Sequence, residues 1–227
     1  MASFECAADV KRIDLLNLAE TIRNLESQGI EELHFDMADG QFIPEFGFST
    51  ALIQAVKEFT ELPCHAHLLV ANPEASLPTI LATGVDIVTL HVETSVHIHR
   101  ALSQIRDSGK KVGLALSPTT PLTKVNYCLP LIDRLVILGA DPVTPGKAMQ
   151  RATFERVRIL NENIRYREHA IEIDIDGPLP IEDAARCLRF GAKRLIVSPE
   201  DVSDLGGDNA ESLEYYKESI ATASHTV

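Results

Sequence analysis

Four residues of this 227-residue chain have the types and setting to hold a cation and move protons: His34, Asp36, His67 and Asp176. They occur in Leu-His-Phe-Asp-Met-Ala-Asp-Gly, Cys-His-Ala-His-Leu-Leu and Glu-Ile-Asp-Ile-Asp-Gly. Each of these segments is a short apolar run that closes on Gly, Pro or Asn before a helical pattern begins. In a parallel barrel, residues at that end of a strand meet at a single mouth. Two imidazoles and two carboxylates make a credible four-ligand set for a divalent metal. The carboxylates Asp36 and Asp176 come from distant strands, so they can flank a substrate from opposite faces. That arrangement suits stereochemical inversion beside a carbonyl.

The elements that must position these groups follow from the hydrophobic patterning. Strands are expected at Phe4–Ala8, Glu32–Asp36, Cys64–Leu69, Asp86–His91, Lys111–Leu116, Arg134–Leu138, Ala170–Ile175 and Arg194–Val197. Helical patterns lie near 14–28, 49–59, 73–83, 96–108, 121–129, 151–164, 180–190 and 209–222. In the first, Leu15, Leu18, Ile22 and Leu25 recur at three- and four-residue spacing. Asn72-Pro73-Glu74 and Thr120-Pro121 place Pro at a first helical position. Gly29, Gly84, Gly109 and Gly191 stand where helices should stop. Strand–helix repeats with right-handed crossovers predict a single (β/α)8 TIM barrel spanning residues 1–227. A doubly wound open sheet is the alternative, but no Gly-x-Gly-x-x-Gly follows the first strand.

Bulk properties narrow the partners. Hydrophobic residues make up 45% and charged residues 24%, as in ordinary soluble domains. The net charge of −12 argues against nucleic acid or an anionic membrane as partner. It also means that a phosphate must be held by local devices such as helix N-termini. Cys6, Cys64, Cys128 and Cys187 are scattered, with no Cys-x-x-Cys pair, and read as reduced thiols. No secretory leader or membrane span is visible, so a soluble cytoplasmic protein is expected.

His-Phe-Asp-Met-Ala-Asp-Gly-Gln-Phe-Ile-Pro (34–44) resembles the His-x-Asp-x-Met-Asp-Gly-x-Phe-Val-Pro signature of the ribulose-phosphate 3-epimerase family. Ala-His-Leu-Leu-Val-Ala-Asn-Pro-Glu (66–74), Thr-Leu-His-Val-Glu (89–93), Gly-Leu-Ala-Leu-Ser-Pro-Thr-Thr-Pro (113–121) and Ile-Asp-Ile-Asp-Gly (173–177) fall in register with further segments of that family. The resemblance runs from about residue 14 to 198. It implies a (β/α)8 barrel that interconverts D-ribulose 5-phosphate and D-xylulose 5-phosphate, with relatives acting on hexulose 6-phosphates. It also implies one divalent ion (Zn, Mn, Fe or Co) held by His34, Asp36, His67 and Asp176, and proton transfer by Asp36 and Asp176. A sugar-phosphate ligand and a homo-oligomer are implied in the same way. The residue types suit the chemistry. Deprotonation beside a ketone needs a Lewis acid at the oxygens and two acids whose pKa values are set apart.

Against the family pattern, the substrate walls are altered. The loop after the sixth strand reads Asp141-Pro142-Val143-Thr144-Pro145-Gly146-Lys147, and Pro178 and Pro199 follow Gly177 and Ser198. Pro145, Pro178 and Pro199 each remove a backbone donor from the expected phosphate cradle; Gly146, Lys147 and Ser198 are left to compensate, and Gly177 is expected to let the backbone approach the ligand. Ala38, Leu69 and Leu138 replace the methionines that cap the reacting centre in the family, and Asp9 stands near its first-strand serine. His91 is expected on the pocket wall. Asp39 is expected to shape a turn, and His65 to lie a layer below His67. These departures keep two other functions open: epimerisation of an unphosphorylated sugar or sugar acid, and sugar or metal binding without catalysis.

Overall fold

The computed structural model describes residues 4–142, 148–198 and 209–224. Eight short strands pair in sequence order, all parallel, and β8 closes back onto β1. They are β1 (Glu5–Asp9), β2 (Glu32–Ala38), β3 (Cys64–Leu69), β4 (Ile87–His91), β5 (Lys111–Leu116), β6 (Arg134–Leu138), β7 (Glu172–Asp176) and β8 (Arg194–Val197). The barrel predicted from the alternating pattern is therefore present. Its helices are α1 (Leu18–Ser27), α2 (Thr50–Phe59), α3 (Pro73–Leu81), α4 (Ile98–Asp107), α5 (Ala152–Tyr166), α6 (Ile181–Arg189) and α7 (Asn209–Ala223). Local chemistry sets several boundaries. The side chain of Ser49 caps α2 at Leu52 N, and that of Asn72 caps α3 at Ala75 N with Pro73 in the first turn.

Two expectations need correction. The helical pattern at 121–129 forms no α-helix; it folds as two 3-10 turns, Leu122–Val125 and Leu129–Leu131. Pro130 contributes to the break: it has no N–H to continue an α-helical ladder through the segment. The pattern at 14–28 is also divided, because the Asp14 carboxylate accepts a hydrogen bond from Leu16 N at 3.0 Å and closes a separate 3-10 turn, Leu15–Asn17. Leu15 and Leu16 are consequently exposed, and the apolar stripe begins at Leu18.

The main core lies between barrel and helices, where Leu33, Phe35, Leu68, Leu90, Leu114, Leu135 and Ile175 face outward from the strands. Inside the barrel the apolar cluster is small: Ala7, Ala115, Val136, Leu138 and Ile196. Polar groups fill the rest. At the floor, Arg134 Nη1 donates to both Glu32 oxygens at 2.8 and 2.6 Å, and Arg194 Nη1 donates to Asp174 Oδ1 at 2.9 Å. Glu32, Arg134, Asp174 and Arg194 are all buried, so each depends on its neighbours for solvation.

Candidate metal and acid–base site

Side chains alternate along a strand, so Glu32, His34 and Asp36 on β2 all project into the barrel, as do His65 and His67 on β3 and Asp174 and Asp176 on β7. Parallel register pairs Asp36 with His67 and His34 with His65. The upper residues of these rows converge. His34 Nε2 lies 3.3 Å from Asp36 Oδ1, and His67 Nδ1 lies 3.3 Å from Asp36 Oδ1 and 3.6 Å from Asp176 Oδ2. Each of the four residues offers one ligand atom, and all four atoms lie within 4.8 Å of one another. Tetrahedral ligands about 2.1 Å from a zinc-sized ion stand roughly 3.4 Å apart, close to the three separations observed.

A second observation supports a cation here. His67 Nδ1 is buried and makes no hydrogen bond, although it faces two carboxylates. Orphaned buried polar atoms are rare, and a metal ion would satisfy this one together with both acids.

The electrostatics of the four groups are unequal. Burial resists ionisation of Asp36, yet the hydrogen bond from His34 and the charge of the facing imidazoles hold its carboxyl well below the usual range. Burial pushes Asp176 up, and the Asp36 charge adds to that shift. Asp9, beside them on β1, is pushed up to about 7 by burial and by Asp36. Burial opposes protonation of His34, but Asp36, Asp176 and Asp9 prevail and raise it to about 9. Three crowded carboxylates at one mouth form a cage that favours positive charge.

The other sequence-predicted residues are placed as follows. Leu69 and Leu138 are buried at the upper ends of β3 and β6, with Leu138 paired to Asp176. Gly177 adopts φ 143°, and a Cβ there would come within 3.3 Å of Ala140 N, so only glycine fits this turn. Ser198 is buried at the end of β8, beside a cavity of about 420 Å³ that Arg12 also lines. Gly146 and Lys147 lie outside the described residues. Asp39 accepts from the backbone N–H groups of Gln41, Phe42 and Ala71 at 2.8, 3.1 and 2.9 Å, which makes it a loop organiser. His91 is not on an open wall: it is fully buried behind His67.

The loop after β2 folds back on the strand. Gly47 N and Phe48 N donate to Ala38 O and Asp36 O at 3.0 and 3.1 Å. A Cβ on Gly47 would fall 2.2 Å from Asp36 O. Gly47→Ala is therefore expected to cost roughly 1–3 kcal/mol and to lower activity by moving Asp36. A urea melt and a turnover assay on the same sample check both effects.

Sequence reasoning passed over Glu93, which lies just past the end of β4. Its Oε1 accepts from Ser117 N at 2.8 Å and from the Thr120 hydroxyl, and its Oε2 pairs with His91 Nδ1 at 2.8 Å. Burial opposes its charge, but these bonds lower its pKa from 4.5 to about 2. Because the folded value is depressed, Glu93 stabilises the protein fully above its unfolded pKa, and that contribution disappears as pH falls from about 4.5 to about 2. Its size is on the order of 3 kcal/mol. Denaturant midpoints of wild type and Glu93→Gln should thus differ at pH 7 and converge toward pH 2.

The site is thus a group of two imidazoles and two carboxylates at the carboxyl mouth of a parallel barrel, placed so that it could hold a metal ion. Comparison with known proteins makes this specific. The model of the ribulose-phosphate 3 epimerase family matches residues 5–200, and the chain belongs to that family of carbohydrate epimerases. It is 30% identical over 192 residues to the ribulose-phosphate 3-epimerase of Synechocystis sp., covering 84% of both chains. It is 29% identical over 194 residues to that of Treponema pallidum, covering 86% of this chain and 89% of the relative. Among solved structures, 3-keto-L-gulonate-6-phosphate decarboxylase from Vibrio cholerae superposes with a TM-score of 0.70 at 12% identity, covering 98% of this chain and 99% of the other. At that identity the likeness speaks for the fold alone.

Proposed function

We propose that the protein interconverts D-ribulose 5-phosphate and D-xylulose 5-phosphate by inversion at C3. The observation that carries this reading is the placement of Asp36 and Asp176 on β2 and β7, reaching His67 at 3.3 and 3.6 Å from separate sides of the mouth. One carboxylate takes the C3 proton from one face, and the carboxyl opposite returns a proton to the other. Their environments set them apart, Asp36 held as the anion and Asp176 favouring the acid, which fits one base and one acid at the start of a turnover. His34, Asp36, His67 and Asp176 would hold a single divalent ion (Zn, Mn, Fe or Co). When bound, that ion supplies Lewis-acid stabilisation of the charge developing on the substrate oxygens, worth several kcal/mol.

Asp9 would accept a hydrogen bond from a substrate hydroxyl, while Leu69 and Leu138 present an apolar cap that excludes water. Gly177 and Ser198, with Gly146 and Lys147, are assigned to the phosphate. Family membership supports a homo-oligomer at work in the cytoplasm. Among the described residues, no helix is long and apolar enough to cross a membrane.

The test compares D-ribulose 5-phosphate, a hexulose 6-phosphate and unphosphorylated ribulose with metal-replete enzyme, following the epimer formed. The proposal requires the pentulose phosphate to have the highest kcat/KM. Faster turnover of free ribulose would move the assignment to unphosphorylated sugars, the reading favoured by Pro178 immediately after Gly177.

A further inference from the structure

We infer that His91 and Glu93 are positioning residues: a Glu93–His91–His67 relay fixes the tautomer and ring orientation of His67, so that Nδ1 is the atom offered to the cation. The inference rests on the metal reading above and assigns a role to two residues lying outside the ligand cage.

The direction of the relay follows from what each group can do. An ionised carboxylate only accepts, so the proton between Glu93 Oε2 and His91 Nδ1, 2.8 Å apart, belongs to His91. His91 is fully buried, with Nδ1 committed to Glu93 and Nε2 facing a ring nitrogen of His67 rather than a carboxylate, so the neutral imidazole is the form that satisfies both contacts. Its Nε2 is then an acceptor. That atom lies 3.0 Å from His67 Nε2, with the two ring planes only 14° apart, so His67 Nε2 carries the proton and donates it. The remaining lone pair of His67 sits on Nδ1, the buried atom without a hydrogen bond that faces Asp36 and Asp176. Each proton is accounted for, and the tautomer that results is the one a metal ligand needs.

The outer end of the relay is anchored as well. Glu93 is gripped by Ser117 N and the Thr120 hydroxyl. The loop bearing those groups is fastened to α5, where the Arg156 guanidinium donates to Thr120 O at 2.7 Å and to Ser117 O at 3.1 Å. Phe42 closes over His91 with ring centroids 4.8 Å apart. His67 itself is fully buried, with no solvent to supply an alternative partner for Nε2.

The full-length protein, stripped of metal by chelation, is titrated with Zn²⁺ and Mn²⁺ by calorimetry as wild type, His91→Phe, His91→Gln and Glu93→Gln. Long-range ¹H–¹⁵N spectra of the same samples read the imidazole tautomers. Wild-type His67 is expected as the Nε2–H form before metal is added. His91→Phe, which keeps a ring but removes the acceptor, should mix the tautomers and weaken metal binding by about 10–100-fold. His91→Gln, whose amide oxygen can accept from Nε2–H, should restore much of the affinity. Glu93→Gln should fall between them. An Nδ1–H tautomer of His67 in wild type would overturn the inference. So would variants that bind metal within about twofold of wild type while only melting earlier. If wild type binds neither ion, the metal reading beneath the inference fails, and with it the predicted loss of affinity. The tautomer spectra of that sample still decide whether the relay exists.

Discussion

Asp176→Asn is expected to reduce kcat for epimerisation by about 10²–10⁴-fold while the barrel stays folded. The amide keeps the shape and much of the polarity of the carboxyl but can neither take nor return a proton. Asp176 keeps about a quarter of its side chain exposed, and the isosteric amide still fills the place facing His67 Nδ1, 3.6 Å away. The fold should therefore survive, as circular dichroism and a thermal melt would show. Asp36→Asn should be at least as damaging, since Asp36 Oδ1 approaches both His34 and His67 at 3.3 Å and the variant weakens the cage as well as the chemistry. Only a loss of kcat in both single variants supports transfer between two acids. Retention of wild-type turnover by Asp176→Asn would remove the two-acid account.

The largest effect on stability should come from the barrel floor. Arg194→Ala leaves Asp174, which is fully buried, without its closest cation at 2.9 Å, and strips a partner from Glu5 and Glu172. Breaking one side of such a buried network costs about 3–5 kcal/mol. In a chain of this size each kcal/mol moves Tm by about 2–4 °C, so a fall of roughly 6–20 °C is expected. Replacing Asp174 and Arg194 together by leucine should recover much of that loss, because the buried Asp174 charge no longer stays behind unpaired, while Glu5 and Glu172 keep access to solvent. Calorimetric melts of the single and double variants make the comparison. If Arg194→Ala melts within 2–3 °C of wild type, a value well under the loss expected for a broken buried pair, the floor is not held by its ion pairs.

The strand ends were legible because local chemistry marks them. Gly40, Asn72 and Gly177 follow their strands closely, and the row His34–Asp36 shows the two-residue alternation that brings both side chains to one face. Once a barrel was inferred, convergence of His34, Asp36, His67 and Asp176 followed from topology. The fifth connection misled because residues 121–129 carry helical periodicity whose interruption comes in part from Pro130, just beyond them. The floor went unread for a different reason. Glu32, Arg134 and Arg194 are the first residues of their strands, where charges usually meet solvent. The signal was nonetheless there, since each sits an even number of positions before an inward-facing residue. Glu93 lies beyond the strand alternation, and its partners Ser117 and Thr120 are on another connection. No spacing rule within β4 could have found them.

The most direct test of the central claim is exchange at C3 in heavy water. Metal-replete enzyme is mixed with D-ribulose 5-phosphate and followed by proton NMR. Proton transfer between two acids predicts deuterium at C3 together with the appearance of D-xylulose 5-phosphate. Absence of both exchange and epimer, in a sample whose metal content is confirmed and across pentulose and hexulose phosphates alike, would contradict it.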